Sequence, residues 1–154
     1  MLVILILCDK LRPVRILALD YGTKRIGVAV SDELKLIAQP LEFIPAEPFG
    51  AFLARLAEII REKEVEAVVV GLPRNMDGSY GPAAAKVREF VAALRTSIPT
   101  PIHTWDERLT TVQAQRMLIE GGVRRRDRKH AVDKTAAAIL LQSYLDHLAT
   151  RAAE

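Results

Sequence analysis

Three acidic residues, Asp20, Glu107 and Asp133, have the chemistry that metal-dependent phosphodiester hydrolysis requires. Carboxylate oxygens are the hard ligands that Mg²⁺ and Mn²⁺ prefer, and these ions keep bound water and accept phosphate oxygens as further ligands. Two such ions, about 3.5 to 4 Å apart, can activate a water and stabilise the leaving oxygen. The trio therefore predicts a two-metal nuclease site, a hydrolase that uses Mg²⁺ or Mn²⁺.

Asp133 carries the strongest pattern of the three. The positions three, four, seven and eleven residues after it are apolar or aromatic and form the apolar stripe expected of the last helix: Ala136, Ala137, Leu140 and Tyr144. The stripe places the carboxylate on the core side. A charge there needs a cation, hydrogen bonds or a shifted pKa.

Each acid also has a plainer interpretation. Asp133 could cap the first turn of its helix or interact with the helix dipole. Asp20 could serve an ordinary turn at the end of a strand, and Glu107 could belong to the solvated charge run 106–108. Asp77 is expected to shape a Pro-Asn-Gly loop, and whether Asp77 or Asp106 adds a metal ligand stays open.

Composition narrows the class of protein. The chain has 154 residues, 50% of them hydrophobic, which is enough for one core but not for two. One cysteine, Cys8, excludes an internal disulfide, and one Cys with three scattered His gives no zinc motif. A net charge of +3 is small, so binding to a polyanion needs a local basic patch.

Residues 124–129 supply that patch, since five cations against Asp127 leave a net of +4 just before Asp133. Arg side chains suit bidentate phosphate contacts. The competing interpretation is a solvated basic loop. The nucleic-acid-binding candidates are Lys24, Arg25, Arg74, Asn75, Arg108, Arg124, Arg125, Arg126, Arg128 and Lys129. Tyr21 and Trp105 stand at strand ends and are expected to pack in the fold.

The elements that must position these residues follow from periodicity. Strands are predicted at 14–20, 25–31 and 36–44, then a helix from 49 to about 60, a buried strand at 67–70 and a loop at 71–79. A helix at about 82–95 and a strand at 101–105 follow. Two helices end the chain, at about 110–120 and 132–149, with residues 121–130 as a loop between them.

This order predicts an α/β fold with a five-stranded mixed sheet, in which three antiparallel strands are followed by two parallel ones and helices flank the sheet. The first strand is expected to be central. Asp20 ends it and Glu107 follows the fifth strand, so both are expected at the carboxyl edge, where open sheets of this type bind ligands.

Four segments resemble motifs of the YqgF/RuvX family: DYGTKRIGVA at 20–29, GLPRNMDGS at 71–79, DERLTT at 106–111 and DKTAA at 133–137. The likeness runs from about residue 14 to residue 148. It implies an RNase H-like fold related to RuvC resolvases and a bacterial cytoplasmic nuclease. It also implies either 5′ processing of pre-16S rRNA in ribosome biogenesis or Holliday junction resolution in DNA repair. The matching acids, Asp20, Glu107 and Asp133, would form the catalytic centre.

Two other functions stay open. The pattern Asp-x-Gly-Thr followed by Gly-Val-Ala is similar to the first phosphate loop of actin-like ATPases, which need a second such domain. A non-catalytic RNA-binding maturation factor would keep the acids for structure. The expected partner is nucleic acid, either structured RNA or branched DNA, and a homodimer is left open because a resolvase needs two sites.

The first 13 residues are interpreted as an N-terminal extension before a nuclease domain at 14–150. Their apolar run lacks a basic start and a cleavage site, and it is shorter than the roughly 20 residues of a spanning helix, so neither a signal peptide nor a membrane contact is predicted.

Overall fold

The computed structural model describes residues 14–106 and 125–153, with the side chains of 14–106 and 136–152. This part of the chain contains five strands and three helices. In chain order they are β1 (Arg15–Asp20), β2 (Arg25–Ser31), β3 (Ala38–Pro45), α1 (Phe49–Glu62), β4 (Val65–Leu72), α2 (Pro82–Ser97), β5 (Ile102–Asp106) and α3 (Arg125–Ala153). For residues 14–106 the order of elements is the predicted one.

The strands form one sheet in the order β3-β2-β1-β4-β5. β1 pairs antiparallel with β2, and β2 pairs antiparallel with β3. β1 also pairs parallel with β4, and β4 pairs parallel with β5. The predicted mixed sheet and the central position of the first strand are therefore confirmed.

The alternation of β1 divides the core into two layers, because successive side chains of a strand point to opposite faces. Leu17 and Leu19 are buried on the face covered by α1 and α2, among Phe52, Val68, Phe90 and their neighbours. Ile16 and Ala18 are buried on the other face, which α3 covers. Asp20 continues the second series, so its position belongs to the α3 face.

Small residues let α3 lie close to the sheet. Ala18 and Ala29 are fully buried beneath the helix, and Ala137 and Ala138 are buried on the helix itself. Farther along the helix, the larger side chains Leu140, Leu141 and Leu145 fill the same layer. Each such side chain contributes about 1.5 to 3 kcal/mol by leaving water, so the layer firmly holds the helix on the sheet.

One side-chain amide joins α3 to the loop between β2 and β3. Gln142 accepts a hydrogen bond from the backbone N–H of Ala38 at 2.9 Å and donates one to the carbonyl of Leu36 at 2.9 Å. The same amide nitrogen donates to Asp146 at 3.0 Å. The middle of the helix is thus bonded to the backbone of the sheet as well as packed against it.

The last helix corrects one prediction. Residues 121–130 are predicted as a loop, with the helix beginning at 132, but residues 125–130 already belong to α3. Arg, Lys and Ala are strong helix formers, so a cluster of charges does not by itself end a helix. The helix predicted at 110–120 and the extension predicted at 1–13 lie outside the described residues.

None of the helices in the described ranges is both long and apolar enough to cross a lipid bilayer.

Candidate active site

The carboxyl ends of the three parallel strands meet at one edge of the sheet. Leu19 of β1 is in register with Val70 of β4, and Leu72 of β4 is in register with Asp106 of β5. Asp20 and Asp106, the last residues of β1 and β5, therefore lie at the same edge with β4 between them. Adjacent strands are about 4.8 Å apart, so roughly 10 Å separates the backbones of β1 and β5 there.

Asp20 is half-buried on the α3 face of this edge. It pairs with Gly27 of β2, and Gly27 leaves open the space that a side chain would occupy. A Cβ built on Gly27 would lie 3.7 Å from the Cβ of Asp20, 3.6 Å from the Cβ of Ala137 and 3.4 Å from the ring of Phe43. The carboxylate thus stands beside a glycine gap, directly under α3.

A cleft of about 260 Å³ opens at this gap. Its lining consists of Asp20, Gly22, Thr23, Lys24, Arg25, Gly27 and Phe43. Lys24 and Arg25 are exposed, and the Arg25 guanidinium lies 4.3 Å from the centre of the Phe43 ring. One carboxylate with two cations at its rim can bind a metal ion and an anionic group together, as a phosphodiester substrate requires.

The turn between β1 and β2 depends on Gly22. A Cβ at that position would run into the backbone carbonyl oxygen of Arg25, an atom that cannot swing away as a flexible side chain would. Glycine therefore allows the close approach that brings Lys24 and Arg25 back beside Asp20.

The loop after β4 is closed by its own side chains. Arg74 donates to the Gly78 carbonyl at 2.6 Å, and Asn75 donates to the Ser79 hydroxyl at 3.0 Å. Asp77 accepts from the backbone N–H of Ser79 at 2.9 Å and from its hydroxyl at 2.6 Å. These bonds hold the pKa of Asp77 below its usual value, and they support the interpretation of Asp77 as a turn residue.

Asp106 faces away from Asp20. Along β5, Ile102 belongs to the layer under α1 and α2, whereas Trp105 packs in the layer under α3. Alternation then places Asp106 with Ile102, and its carboxylate forms an ion pair with Arg74 at 3.5 Å. The two acids share an edge of the sheet but stand on opposite faces, which argues against Asp106 as a partner of Asp20 in one metal site.

The two aromatic residues at strand ends pack in the fold, as expected. The rings of Tyr21 and Phe90 are 4.8 Å apart. Trp105 lies edge-on to Tyr144 at 5.4 Å and donates its indole N–H to the Ser143 hydroxyl at 3.1 Å.

The structure describes only part of the predicted site. Asp20, Lys24, Arg25, Arg74 and Asn75 lie at the carboxyl edge or in the turn and loop that border it. Glu107, Arg108 and Arg124 lie outside the described residues. Asp133, Arg125, Arg126, Arg128 and Lys129 are in α3, but their side chains are outside the described part. In the part of the chain with described side chains, no group of three or more His, Cys, Asp or Glu residues is arranged to hold a metal ion.

Phe43 is a lining residue that the sequence interpretation missed. It comes from β3, two strands away from Asp20, and reaches the cleft because it is in register with Gly27. A glycine flanked by apolar residues in β2 is the available signal, since such a glycine marks a close approach by another group.

Comparison with known proteins completes the description of the site. The family model RuvX, described as Holliday junction resolvase, matches residues 14–147. The chain belongs to the RuvX family. This membership makes nuclease the activity class of the chain, and the matched residues include all four motifs.

Curated relatives of this RuvX family member are provisionally named pre-16S rRNA nucleases. One, from Halothermothrix orenii, is 50% identical over 133 residues, which cover 86% of this chain and 95% of the relative. Another, from Moorella thermoacetica, is 51% identical over 134 residues, covering 87% and 96%.

Solved structures identify the fold. The Holliday junction resolvase of fowlpox virus has a TM-score of 0.50 and 13% identity, covering 87% of this chain and 99% of that one. The RNase H-like fold expected from the motifs is therefore confirmed.

Proposed function

We propose that this RuvX family member is a metal-dependent nuclease that processes the 5′ end of pre-16S rRNA in the cytoplasm. Asp20, Glu107 and Asp133 are its proposed catalytic residues and the ligands of Mg²⁺ or Mn²⁺. The observation that carries the proposal is the cleft at Asp20, where a half-buried carboxylate, two cations and a glycine gap lie under α3.

The backbone of α3 supports the inclusion of Asp133. Ala137 lies beside the gap at Gly27, and Asp133 precedes Ala137 by four residues in the same helix. Residues four apart share a helix face and are separated by about 6 Å along the axis. Asp133 therefore belongs to the face of α3 that covers Asp20, one turn nearer the start of the helix.

Chain connectivity supports the inclusion of Glu107. It directly follows Asp106, the last residue of β5, which ends at the same sheet edge as Asp20. Consecutive Cα atoms are about 3.8 Å apart, which makes Glu107 the natural candidate for a further ligand at this edge.

The donor chemistry fits a hard divalent cation. Bound by carboxylate oxygens, Mg²⁺ or Mn²⁺ supplies charge neutralisation at a phosphate and lowers the pKa of bound water. The residues of the chain hold and orient the RNA backbone: Lys24 and Arg25 at the rim of the cleft, with the basic residues early in α3, Arg125, Arg126, Arg128 and Lys129, as further phosphate contacts.

The test compares substrates and variants. Purified protein with Mn²⁺ or Mg²⁺ is given a 5′-extended precursor rRNA fragment or a synthetic four-way DNA junction, at several salt concentrations. We expect cleavage of the RNA, and we expect Asp20→Asn to abolish it while RNA binding persists. Glu62→Gln, which changes an exposed acid at the end of α1, is the control and should cleave normally.

The outcomes separate the alternatives. Cleavage by Asp20→Asn at the normal rate would overturn the proposed site, and RNA binding without cleavage by the unaltered protein would indicate a non-catalytic maturation factor. Cleavage of the junction alone would favour the second candidate, resolution of Holliday junctions, which the family description supports. A resolvase of this kind also requires a symmetric dimer, which sedimentation would detect.

A further inference from the structure

Tyr80 presents an aromatic ring to solvent at the end of the loop after β4. Its relative exposure is 45%. The guanidinium of Arg88 lies 4.3 Å from the ring centre, and that of Arg74 lies 5.0 Å from it. An exposed ring with two guanidiniums resembles in chemistry the surfaces on which proteins stack unpaired bases, because bases stack on both aromatic rings and guanidinium planes.

The three side chains carry more positive charge than their surroundings neutralise. Arg74 forms an ion pair with Asp106 at 3.5 Å and donates to the Gly78 carbonyl at 2.6 Å. Arg88 contacts the ring of Tyr80. Among the described side chains, no carboxylate forms an ion pair with it. As far as the described side chains show, Arg88 can therefore accept an anion without first breaking an ion pair.

The group is also held in place before any ligand arrives. Tyr80 directly precedes Gly81, the N-cap of α2, and Arg88 lies within α2 itself. Arg74 is held at two points, by the loop backbone and by Asp106 at the end of β5. Side chains that are already ordered lose less entropy on binding, so the arrangement favours recognition.

The position of the group links it to the proposed cleavage site. Arg74 reaches Asp106, and Glu107 is the next residue in the chain. A nucleotide on Tyr80 would thus lie beside the carboxyl edge at β5, whereas the cleft of Asp20 opens at β1 and β2 on the α3 face. The Tyr80 group and the Asp20 cleft lie on opposite faces of the same edge of the sheet. An RNA strand that passes over this edge could contact both.

We propose that Tyr80, Arg74 and Arg88 form a stacking site for an unpaired base of single-stranded RNA, at the same edge of the sheet as the proposed cleavage site. This proposal rests on the proposed RNA-processing function and specifies which part of the substrate is recognised. The ring of Tyr80 stacks on the base, Arg74 packs against the ring, and Arg88 pairs with an adjacent phosphate.

Binding is measured by fluorescence anisotropy with the full chain carrying Asp20→Asn, so that the RNA stays intact. The probes are a labelled single-stranded RNA of ten nucleotides and a duplex of the same length. In this background, Tyr80→Leu and Arg88→Gln are each expected to weaken single-strand binding about tenfold, the effect of losing one stacked base. Duplex binding should change less than about threefold.

Two controls make the result specific. Tyr80→Phe keeps the ring and should restore single-strand binding, which a role of the hydroxyl would not predict. Arg61→Gln removes another exposed arginine, near the end of α1 and away from the carboxyl edge that holds Asp106, and should change neither affinity. In the active protein, Tyr80→Leu should raise KM with little change in kcat.

Unchanged single-strand affinity in both Tyr80→Leu and Arg88→Gln would overturn the stacking site, and so would an equal loss for single strand and duplex, which indicates general charge attraction. Circular dichroism shows whether each variant is folded. If Tyr80→Leu does not fold, the affinity of Arg88→Gln decides whether the stacking site exists. Absence of cleavage by the unaltered protein would instead refute the proposed nuclease function. The binding results could still be interpreted, because they do not depend on cleavage.

Discussion

Gly22, in the turn after Asp20, and Gly27, which pairs with Asp20 across the sheet, should respond in opposite ways to replacement by alanine. At Gly22, a methyl group collides with the backbone carbonyl of Arg25. Overpacking of this kind costs about 1 to 3 kcal/mol, because the whole turn must move. At Gly27, the added methyl finds neighbours at 3.4 to 3.7 Å, which is ordinary contact.

Gly27→Ala should therefore be neutral or stabilising. Burying one methyl contributes about 0.8 kcal/mol, and restricting the unfolded chain contributes about 0.4 to 1 kcal/mol. The close contact with Phe43 offsets part of this gain. The free energies of unfolding of Gly22→Ala and Gly27→Ala should differ by about 2 kcal/mol or more, which at a slope near 2 kcal/mol/M is about 1 M in the urea midpoint.

Activity should not follow stability in this pair. The methyl of Gly27→Ala enters the cleft 3.7 Å from the Cβ of Asp20, so cleavage should fall about tenfold although the protein is at least as stable. Urea unfolding followed by circular dichroism, with RNA cleavage measured alongside, tests both statements. The reasoning is wrong if Gly22→Ala unfolds at the same urea concentration as the unaltered protein, or if Gly27→Ala is the less stable of the two.

Three further outcomes are expected. Leu140→Ala, which empties a buried site between α3 and the sheet, should cost about 2 to 5 kcal/mol of stability; a change below 1 kcal/mol in urea unfolding would contradict the described packing. The pKa of Glu42 is lowered, first by its hydrogen bond from Arg55, so the pair stabilises the fold above the unfolded pKa and loses this effect as pH falls through the folded pKa. Arg55→Ala should therefore be only slightly destabilising at pH 7, since the pair is partly exposed, and less so in acid, once Glu42 is protonated in the folded protein; an equal cost at pH 7 and in acid would show that packing is responsible. Mg²⁺ at 100 times its dissociation constant should stabilise the protein by about 2.7 kcal/mol, and Asp20→Asn should reduce this stabilisation in thermal unfolding, whereas an equal response would remove Asp20 from the metal site.

The sequence predicted the layers of the fold well because each face of the sheet leaves a local pattern. The alternation of β1 and the continuous apolar run of β4 reflect burial on both faces, and helical spacing marks α1 and α2. The predicted start of α3, residue 132, is at least seven residues too late, because the charge cluster at 124–129 has the polarity of a loop and local polarity does not distinguish a solvated helix from a loop.

The site was predicted only as far as single strands allow. The end of β1 and the direction of β5 place Asp20 and Asp106 at one edge, but the face on which each stands follows from the pairing of strands. The contact of Phe43 with Gly27 depends on the register of β2 and β3, which shifts between Val28 and Ala29. Such an irregularity results from the assembled sheet and leaves no clear local signal.

The amide of Gln142 gives the fold a pivot. By bonding to the backbone at Leu36 and Ala38, it opposes a sideways swing of α3 across the sheet, and Asp133 lies nine residues away in the same helix. Nine residues correspond to two and a half turns, about 13.5 Å, so a small rotation at the pivot would sweep the proposed ligand sideways. The position of the proposed ligand Asp133 therefore depends partly on the hairpin between β2 and β3, at the opposite end of the sheet, and disruption of that hairpin should misalign the proposed catalytic acids.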